Sequence, residues 1–404
     1  MRFWSSLLIF AIALSSCTST AVREKSPRDL NYNQALSFIQ KNQKKESPEL
    51  YQACEKILPL TVENRQLEDY RKVMGIYKKN PDIFLKAMTL AELSAEGLED
   101  TVFLDSVYAA QRRARELSLT ESFVEKAREY YRDRNYSEDE LRDRITGYRA
   151  YIADSYGQSL VAQKRNGEAV HVYEAIVEDY RDTDILLNYA LALNRLNRYE
   201  QSLIMAIEAL KMTPGSLEAK NTVSETAGLL GYSKAETNTM IEETVFVGRN
   251  LLRQDLLADE LNIPMPAFSL KNIDGSLISN ADFQGKILIV SFFATWCPPC
   301  REELPHLNDT WLQYRNDPEV ALIAVSTDED TFLVPPFVKD NGFAFPVYYA
   351  NGINRDFEVK GIPTLFVVDK NGIIRYKKIG FSRGEEFGKI MSWYIDEIKA
   401  AEGV

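Results

Sequence analysis

The apolar run Ile287-Leu288-Ile289-Val290-Ser291-Phe292-Phe293 leads, through Ala294 and Thr295, into Trp296-Cys297-Pro298-Pro299-Cys300 and then a helix-like segment. A strand that delivers two cysteines, two residues apart, to a helix N-terminus constrains fold and chemistry together. The exposed N–H groups and positive dipole end of a helix favour a thiolate there. A second thiol close enough to close a disulfide lets the first release its product, as thiol–disulfide exchange requires. A structural disulfide is an alternative, but such short bridges are usually strained and redox-labile, and metal-binding uses of the pair fail on the residues present. A zinc site needs about four ligands, and no second Cys/His pair exists. A c-type haem needs His after the second cysteine, where Arg301 stands. No metal and no cofactor are expected.

At 404 residues the chain is long enough for two or three domains. Hydrophobic residues make up 45% and charged residues 26%, a globular composition rather than a disordered one. The net charge of −11 argues against nucleic acid as a partner. His171 and His306 are the only histidines, too few for a histidine-based metal site or nucleophile system. His306 is expected to be an ordinary surface or helix-packing residue.

The first residues bear on compartment. Phe3 to Leu14 is apolar apart from Ser5 and Ser6, and follows one positive charge at Arg2. A spanning helix needs roughly 20 apolar residues, so residues 1–16 are expected to be a removable signal. Leu14-Ser15-Ser16-Cys17 resembles the bacterial lipoprotein signal, which implies cleavage before Cys17 and lipid on that residue. An ordinary secretory signal with an incidental Cys17 is the alternative. Multiple acyl chains anchor stably where one does not, so a lipidated tether over 17–30 and an extracytoplasmic, membrane-attached protein are expected. Thr18, where Asp often marks inner-membrane retention, tilts this toward the outer membrane. Cys54, between Ala53 and Glu55 on a helical pattern, is expected to be a small buried residue.

Residues 31–247 are helical in pattern. Ser47-Pro48-Glu49, Asn80-Pro81-Asp82, Ser137 with Glu140 and Ser233 with Glu236 each supply a capping side chain with Pro at the first helical position or Glu three residues on. A repeat of about 33 residues is visible. Gly157 precedes Ala169 by the spacing that separates Ala190 from Ser202, with Ala206, Ala209 and Pro214 following. Asn166-Gly167-Glu168 and Asn197-Arg198-Tyr199-Glu200 are placed at the turns. This resembles the tetratricopeptide pattern, in which small residues let paired helices pack closely. The resemblance implies a helical array with a concave surface for a partner; a plain spacer is the alternative. Tyr130, Tyr131, Tyr136, Tyr148, Tyr151 and Tyr156 are candidates to line a groove, but near-helical spacing favours packing between helices. Residues 248–262 read as a charged, Leu-rich helical connector, ended by Ile263-Pro264-Met265-Pro266.

From residue 263 to 404 strands and helices alternate. Phe268–Leu270 and Leu277–Ser279 flank the turn Asp274-Gly275; strands are expected over 286–293, 320–326, 364–368 and 373–378. Helices are expected to about Tyr314, near 331–341 and over 383–400. This order resembles the thioredoxin arrangement, and Gly361-Ile362-Pro363-Thr364 resembles its cis-proline loop, whose backbone pairs with the substrate chain. The stretch from Phe292 to Pro305 resembles the TlpA/ResA-type thiol–disulfide oxidoreductases of the bacterial periplasm. The expected architecture is therefore two-domain, an N-terminal all-α array and a C-terminal α/β thioredoxin-like fold.

The resemblance implies that Cys297 is the nucleophile, exposed at the helix start, and Cys300 the more buried resolving thiol. It implies that Trp296, Ile362 and Pro363 contact substrate. Glu303 matches an acidic residue thought to tune the thiols and assist proton transfer; a first-turn glutamate favoured by the helix dipole is the alternative. Ser291 stands where thioredoxins proper carry a buried Asp. Protein disulfides are the expected substrates, with an upstream envelope electron donor, and reduction is the expected direction. An oxidase remains open, since the reduction potential decides it. A scaffold role for the helical array is the rival from another class. A peroxidase of this domain type needs Thr three residues before the reactive cysteine, and Ala294 is there.

Overall fold

The computed structural model describes residues 30–93, 101–134 and 136–402. The expected signal segment and Cys17 lie outside the described residues. From Tyr32 to Ala258 the described chain is helical: α1 Tyr32–Asn42, α2 Pro48–Glu63, α3 Leu67–Tyr77, α4 Ile83–Ala91, α5 Thr101–Ser118, α6 Glu121–Tyr131, α7 Glu138–Ala162, α8 Asn166–Asp179, α9 Thr183–Asn194, α10 Tyr199–Met212, α11 Leu217–Leu229 and α12 Lys234–Ala258. The start signals act locally. Ser47 caps α2, with Pro48 at its first position. Ser137 and Glu140 form a reciprocal capping box on α7. Ser233 and Glu236 do the same for α12, through bonds of 2.8 and 3.3 Å. At Asn80-Pro81-Asp82 the cap is Asp82, so Pro81 precedes the helix instead of opening it.

The chain divides into two compact units. One holds the helices through Ala209 together with Thr222–Thr237; the other holds Leu210–Asn221 and the chain from Asn238 onward. The expected boundary at 247/248 falls inside α12, which runs unbroken to Ala258, so the connector is the end of a longer helix.

In the helical unit α7 packs on α8 and α8 on α9. Ala153, Leu160, Ala169, Tyr173, Ala192 and Leu193 share one core. The Gly157 position is small for a specific reason. A Cβ there would come within 2.7 Å of the ring of Tyr173, which is fully buried. Ser202 Oγ donates to the Ala190 carbonyl at 2.9 Å, tying α10 to α9. Lys164 and Asn197 take positive φ in the turns before α8 and α10. Asn166–Glu168 belong to the first turn of α8, one step later than expected. Several tyrosines do pack between helices: Phe84 meets Tyr130 at 5.4 Å and Tyr148 at 5.3 Å, and Tyr108 meets Tyr156 at 5.7 Å. Cys54 is fully buried in α2, and burial pushes its thiol up to about 12.

In the second unit the elements run β1 Ile263–Pro264, β2 Ser269–Lys271, β3 Leu277–Ser279, β4 Ile287–Phe293, α13 Pro298–Tyr314, β5 Val320–Ser326, α14 Val334–Asp340, β6 Val347–Tyr349, α15 Ile353–Asp356, β7 Thr364–Val368, β8 Ile373–Ile379 and α16 Phe387–Glu402. Six strands form one mixed sheet in the order β1-β8-β7-β4-β5-β6, and β2-β3 form a hairpin. β4 is central, parallel to β5 and antiparallel to β7. Every residue of β4 is buried, as an apolar run covered on both faces requires. Its alternation divides the core: Ile287, Ile289 and Phe293 join the side of α13 and α16, and Leu288, Val290 and Phe292 join the other. Ser291 therefore faces α13. Leu252, Leu256 and Leu257 at the end of α12 pack against the first of these cores.

Candidate active site

β4 ends at Phe293, and the short loop Ala294-Thr295-Trp296 carries the chain from there to the cysteines. The Thr295 N–H and hydroxyl both donate to the Asp328 carboxylate, the hydroxyl at 2.6 Å, and Ser326 Oγ donates to the same group at 2.8 Å. Asp328 lies just past the end of β5, the parallel neighbour of β4, so the sheet register brings this acid under the loop. Cys297 is then the N-cap of α13, and prolines at 298 and 299 start the helix without needing amide partners.

Cys297 and Cys300 are joined as a disulfide, with Cα atoms 5.3 Å apart. The Cys300 N–H donates to Cys297 Sγ at 3.3 Å, and that sulfur lies 3.6 Å from the Ile362 carbonyl oxygen. A backbone donor at a helix start favours negative charge on the sulfur once the disulfide opens. Ile362–Pro363 is a cis peptide. The topology thus brings the 361–364 loop, remote in sequence, against the cysteines. Trp296 beside them is 45% exposed although aromatic. Pro363 is buried and Ile362 half-buried.

One expectation is corrected. Cys297 is not exposed: only 3% of its surface is accessible, against none for Cys300. In the disulfide its sulfur turns inward to Cys300 and under the Ile362 carbonyl.

Glu303 is buried, with 1% of its surface exposed, and stands in the second turn of α13, so it is not a solvated first-turn glutamate. Ser291 Oγ donates to its Oε1 at 3.2 Å. Serine on the α13 face of β4 leaves room for this carboxyl and supplies a donor to it. Burial pushes Glu303 up to about 7; Lys378 opposes the rise, Glu385 adds to it, and the Ser291 bond opposes it. A group poised near neutral pH can both give and take a proton. Lys378 Nζ lies 3.9 Å from Glu303 Oε2 and 3.0 Å from Glu385 Oε1. Sequence reasoning passed over Asp328, Lys378 and Glu385. Lys378 shares β8 with Arg375 and Lys377, so nothing in the sequence marked it out among the three. His306 packs as expected, stacked on Phe381 at 5.3 Å. Among the described residues no group of three or more His, Cys, Asp or Glu side chains is arranged to hold a metal ion.

A central mixed sheet, a disulfide at the N-cap of its crossing helix and a cis-proline loop over that sulfur together define a thioredoxin-like redox protein. Residues 261–377 match the AhpC/TSA family. The chain is 33% identical over 141 residues to thiol-disulfide oxidoreductase ResA of Bacillus thuringiensis subsp. konkukian, which spans 34% of this chain and 79% of that protein. It is 34% identical over 119 residues to thioredoxin-like protein YneN of Bacillus subtilis, covering 28% of this chain and 69% of that one. A thioredoxin family thiol:disulfide interchange protein of Chlorobium tepidum aligns in structure over 33% of this chain and 97% of its own, at 32% identity and a TM-score of 0.30. Through its C-terminal unit the chain belongs to the ResA family of thiol–disulfide oxidoreductases, and it is such an enzyme.

Proposed function

We propose that the chain is a protein disulfide reductase of the bacterial envelope, anchored by lipid on Cys17 and cycling through Cys297 and Cys300. The observation that carries the redox reading is Cys297 Sγ at the N-cap of α13, receiving the Cys300 N–H and lying beside the Ile362 carbonyl. In the reduced enzyme the Cys297 thiolate attacks a client disulfide, and one client sulfur leaves as a thiolate. The Cys300 sulfur then attacks Cys297 Sγ as its proton passes to the Glu303 carboxylate. The second client thiolate departs, and the enzyme is left as the Cys297–Cys300 disulfide. An upstream dithiol donor restores it with two electrons. Trp296, Ile362 and Pro363 are proposed to contact the client, supported by the exposed Trp296 ring and by the Ile362 carbonyl beside Cys297 Sγ. The Thr295 hydroxyl is committed to Asp328 and Ala294 offers none, which disfavours a peroxidase.

The helical unit is proposed to be tetratricopeptide-like and to recruit a partner. Supporting this are the close approach at Gly157 and the Ser202–Ala190 bond, both at the small positions of the repeat.

The Cys300→Ser variant is expected to accumulate mixed disulfides with client proteins, seen as reducible adducts after alkylation. No adducts, together with no disulfide reduction by the wild type, overturns the reading. The same variant lacking residues 31–209 is expected to trap fewer clients; an unchanged set argues against recruitment. A reduction potential of the pair near or below roughly −270 mV favours reductase over oxidase.

A further inference from the structure

The segment after β8 folds back over the start of α13. Arg383 pairs with Glu302 at 2.7 Å, and Phe381 stacks on His306. Beside these contacts Lys378 lies between Glu385 and Glu303, with the rings of Phe381 and Phe387 at 5.7 and 5.8 Å from its nitrogen. The side chains of Glu303, Lys378 and Glu385 keep 2%, 9% and 12% of their surface. Two carboxyls and one ammonium thus share a space with little water, where unbalanced charge is costly. With all three ionised one negative charge is left over. A single proton on either carboxyl makes the group neutral.

We propose that Lys378 is a positioning residue for Glu303: a counter-charge shared with Glu385, held by Glu385 while Glu303 carries a proton and drawn to Glu303 when that proton leaves. This rests on Cys297 and Cys300 being the reacting pair. In the resolving step the Cys300 S–H bond breaks and its proton goes to Glu303. The sulfur's electron pair bonds Cys297 Sγ, and the Cys297–client bond breaks with its pair on the client sulfur. Glu303 is then neutral, and Lys378, whose nitrogen also donates to the Gly380 carbonyl, is left to Glu385, the carboxyl it approaches more closely in this oxidised structure. When a dithiol donor attacks Cys297 Sγ, the Cys297–Cys300 bond breaks and the Cys300 sulfur takes the proton back from Glu303. The groups that act on Glu303 are Ser291 from β4, Lys378 from β8 and Glu385 from the returning segment, while His306, one turn further along α13, acts on Glu385. Tyr394 of α16 feels the charge of Glu385. The opposed influences of Lys378 and Glu385 on the Glu303 proton agree with this division.

The test is single-turnover reaction of the reduced full-length protein with 5,5′-dithiobis(2-nitrobenzoate) across pH. The second equivalent of coloured thiolate reports attack by Cys300. The wild-type rate is expected to rise through an inflection that Glu303→Gln abolishes. Lys378→Met is expected to move it up and Glu385→Gln to move it down, each by about one pH unit, a roughly tenfold change in ionised fraction at fixed pH. Lys378→Arg is expected to stay near the wild type. Shifts in the same direction, or none, overturn the proposal. If Lys378→Met fails to fold by circular dichroism, Glu385→Gln without a downward shift is sufficient to overturn it. A wild type that never releases the second equivalent overturns the redox reading itself, and the role of Lys378 with it.

Discussion

At Glu303 the local code and the fold pull apart. A glutamate near the start of a helix is favourable in water because of the dipole, although Glu303, in the second turn of α13, stands past the residues that feel it most. Here β4 and the segment after β8 close over it, and burial pushes it up to about 7. The consequence for stability has a definite sign. Below its unfolded value of about 4.5 the group is protonated in both states. As pH rises from there to about 7 the unfolded chain releases the proton and the fold retains it, so stability falls across that window and is level above it. The full effect is roughly 3 kcal/mol. Of the four tryptophans Trp4 lies in the expected signal segment and Trp296, Trp311 and Trp393 lie in the redox unit, so tryptophan emission of the protein without that segment follows unfolding of this unit in urea. Between pH 5 and pH 8 Glu303→Gln is expected to lose less stability than the wild type by about that amount. Equal losses would show that Glu303 does not titrate there. Glu303 was legible as a candidate from its place after Cys300. Its proton affinity was not, because that depends on Lys378 and Glu385, which are remote in sequence.

Most elements were legible because each carries its own period or cap. The strands 287–293 and 320–326 are continuous apolar runs, and several helices of the first unit open on a capping Ser, Thr, Asn or Asp. β6 and α15 were missed: three and four residues are too few to show a period, and both form only against β5 and its loop. The face of Lys378 was hidden for another reason. The pairing of β7 with β8 shifts between Val367 and Val368, so alternation counted from Ile374 assigns the wrong side. In α7 the small residue was visible and its partner was not. Gly157→Ala gains about 1 kcal/mol of helix propensity. It also forces a Cβ against the buried Tyr173 ring, which costs about 1–3 kcal/mol. A net loss is expected in chemical denaturation of the helical unit, partly relieved in Gly157→Ala/Tyr173→Phe. Additive losses in that double variant would exclude the contact as the cause.

Over the whole molecule, contacts cut across sequence order, since Leu210–Asn221 groups with the redox unit and Thr222–Thr237 with the helical one. Within the redox unit a Cβ on Gly215 would run into the backbone carbonyl oxygen of Gly384, next to Glu385. Arg249 holds Glu386 through two bonds of 2.6 and 2.7 Å close by. Gly215→Ala is expected to lower the melting temperature of the redox unit by several degrees, about 1–3 kcal/mol. Gly228→Ala, which meets nothing within 4 Å on an exposed turn of α11, is expected to be neutral or slightly stabilising. Equal effects of the two in a thermal scan would remove the packing argument. By itself the sequence determined the class of chemistry, the cysteine pair, the cis-proline loop and the order of the main strands and helices, because each is written in a short, contiguous pattern. Only the tertiary structure decided how deep Cys297 lies, that Ser291 donates to Glu303, and that Lys378 stands between two carboxyls. Those depend on register, on a strand irregularity and on desolvation, and no local stretch of chain contains them.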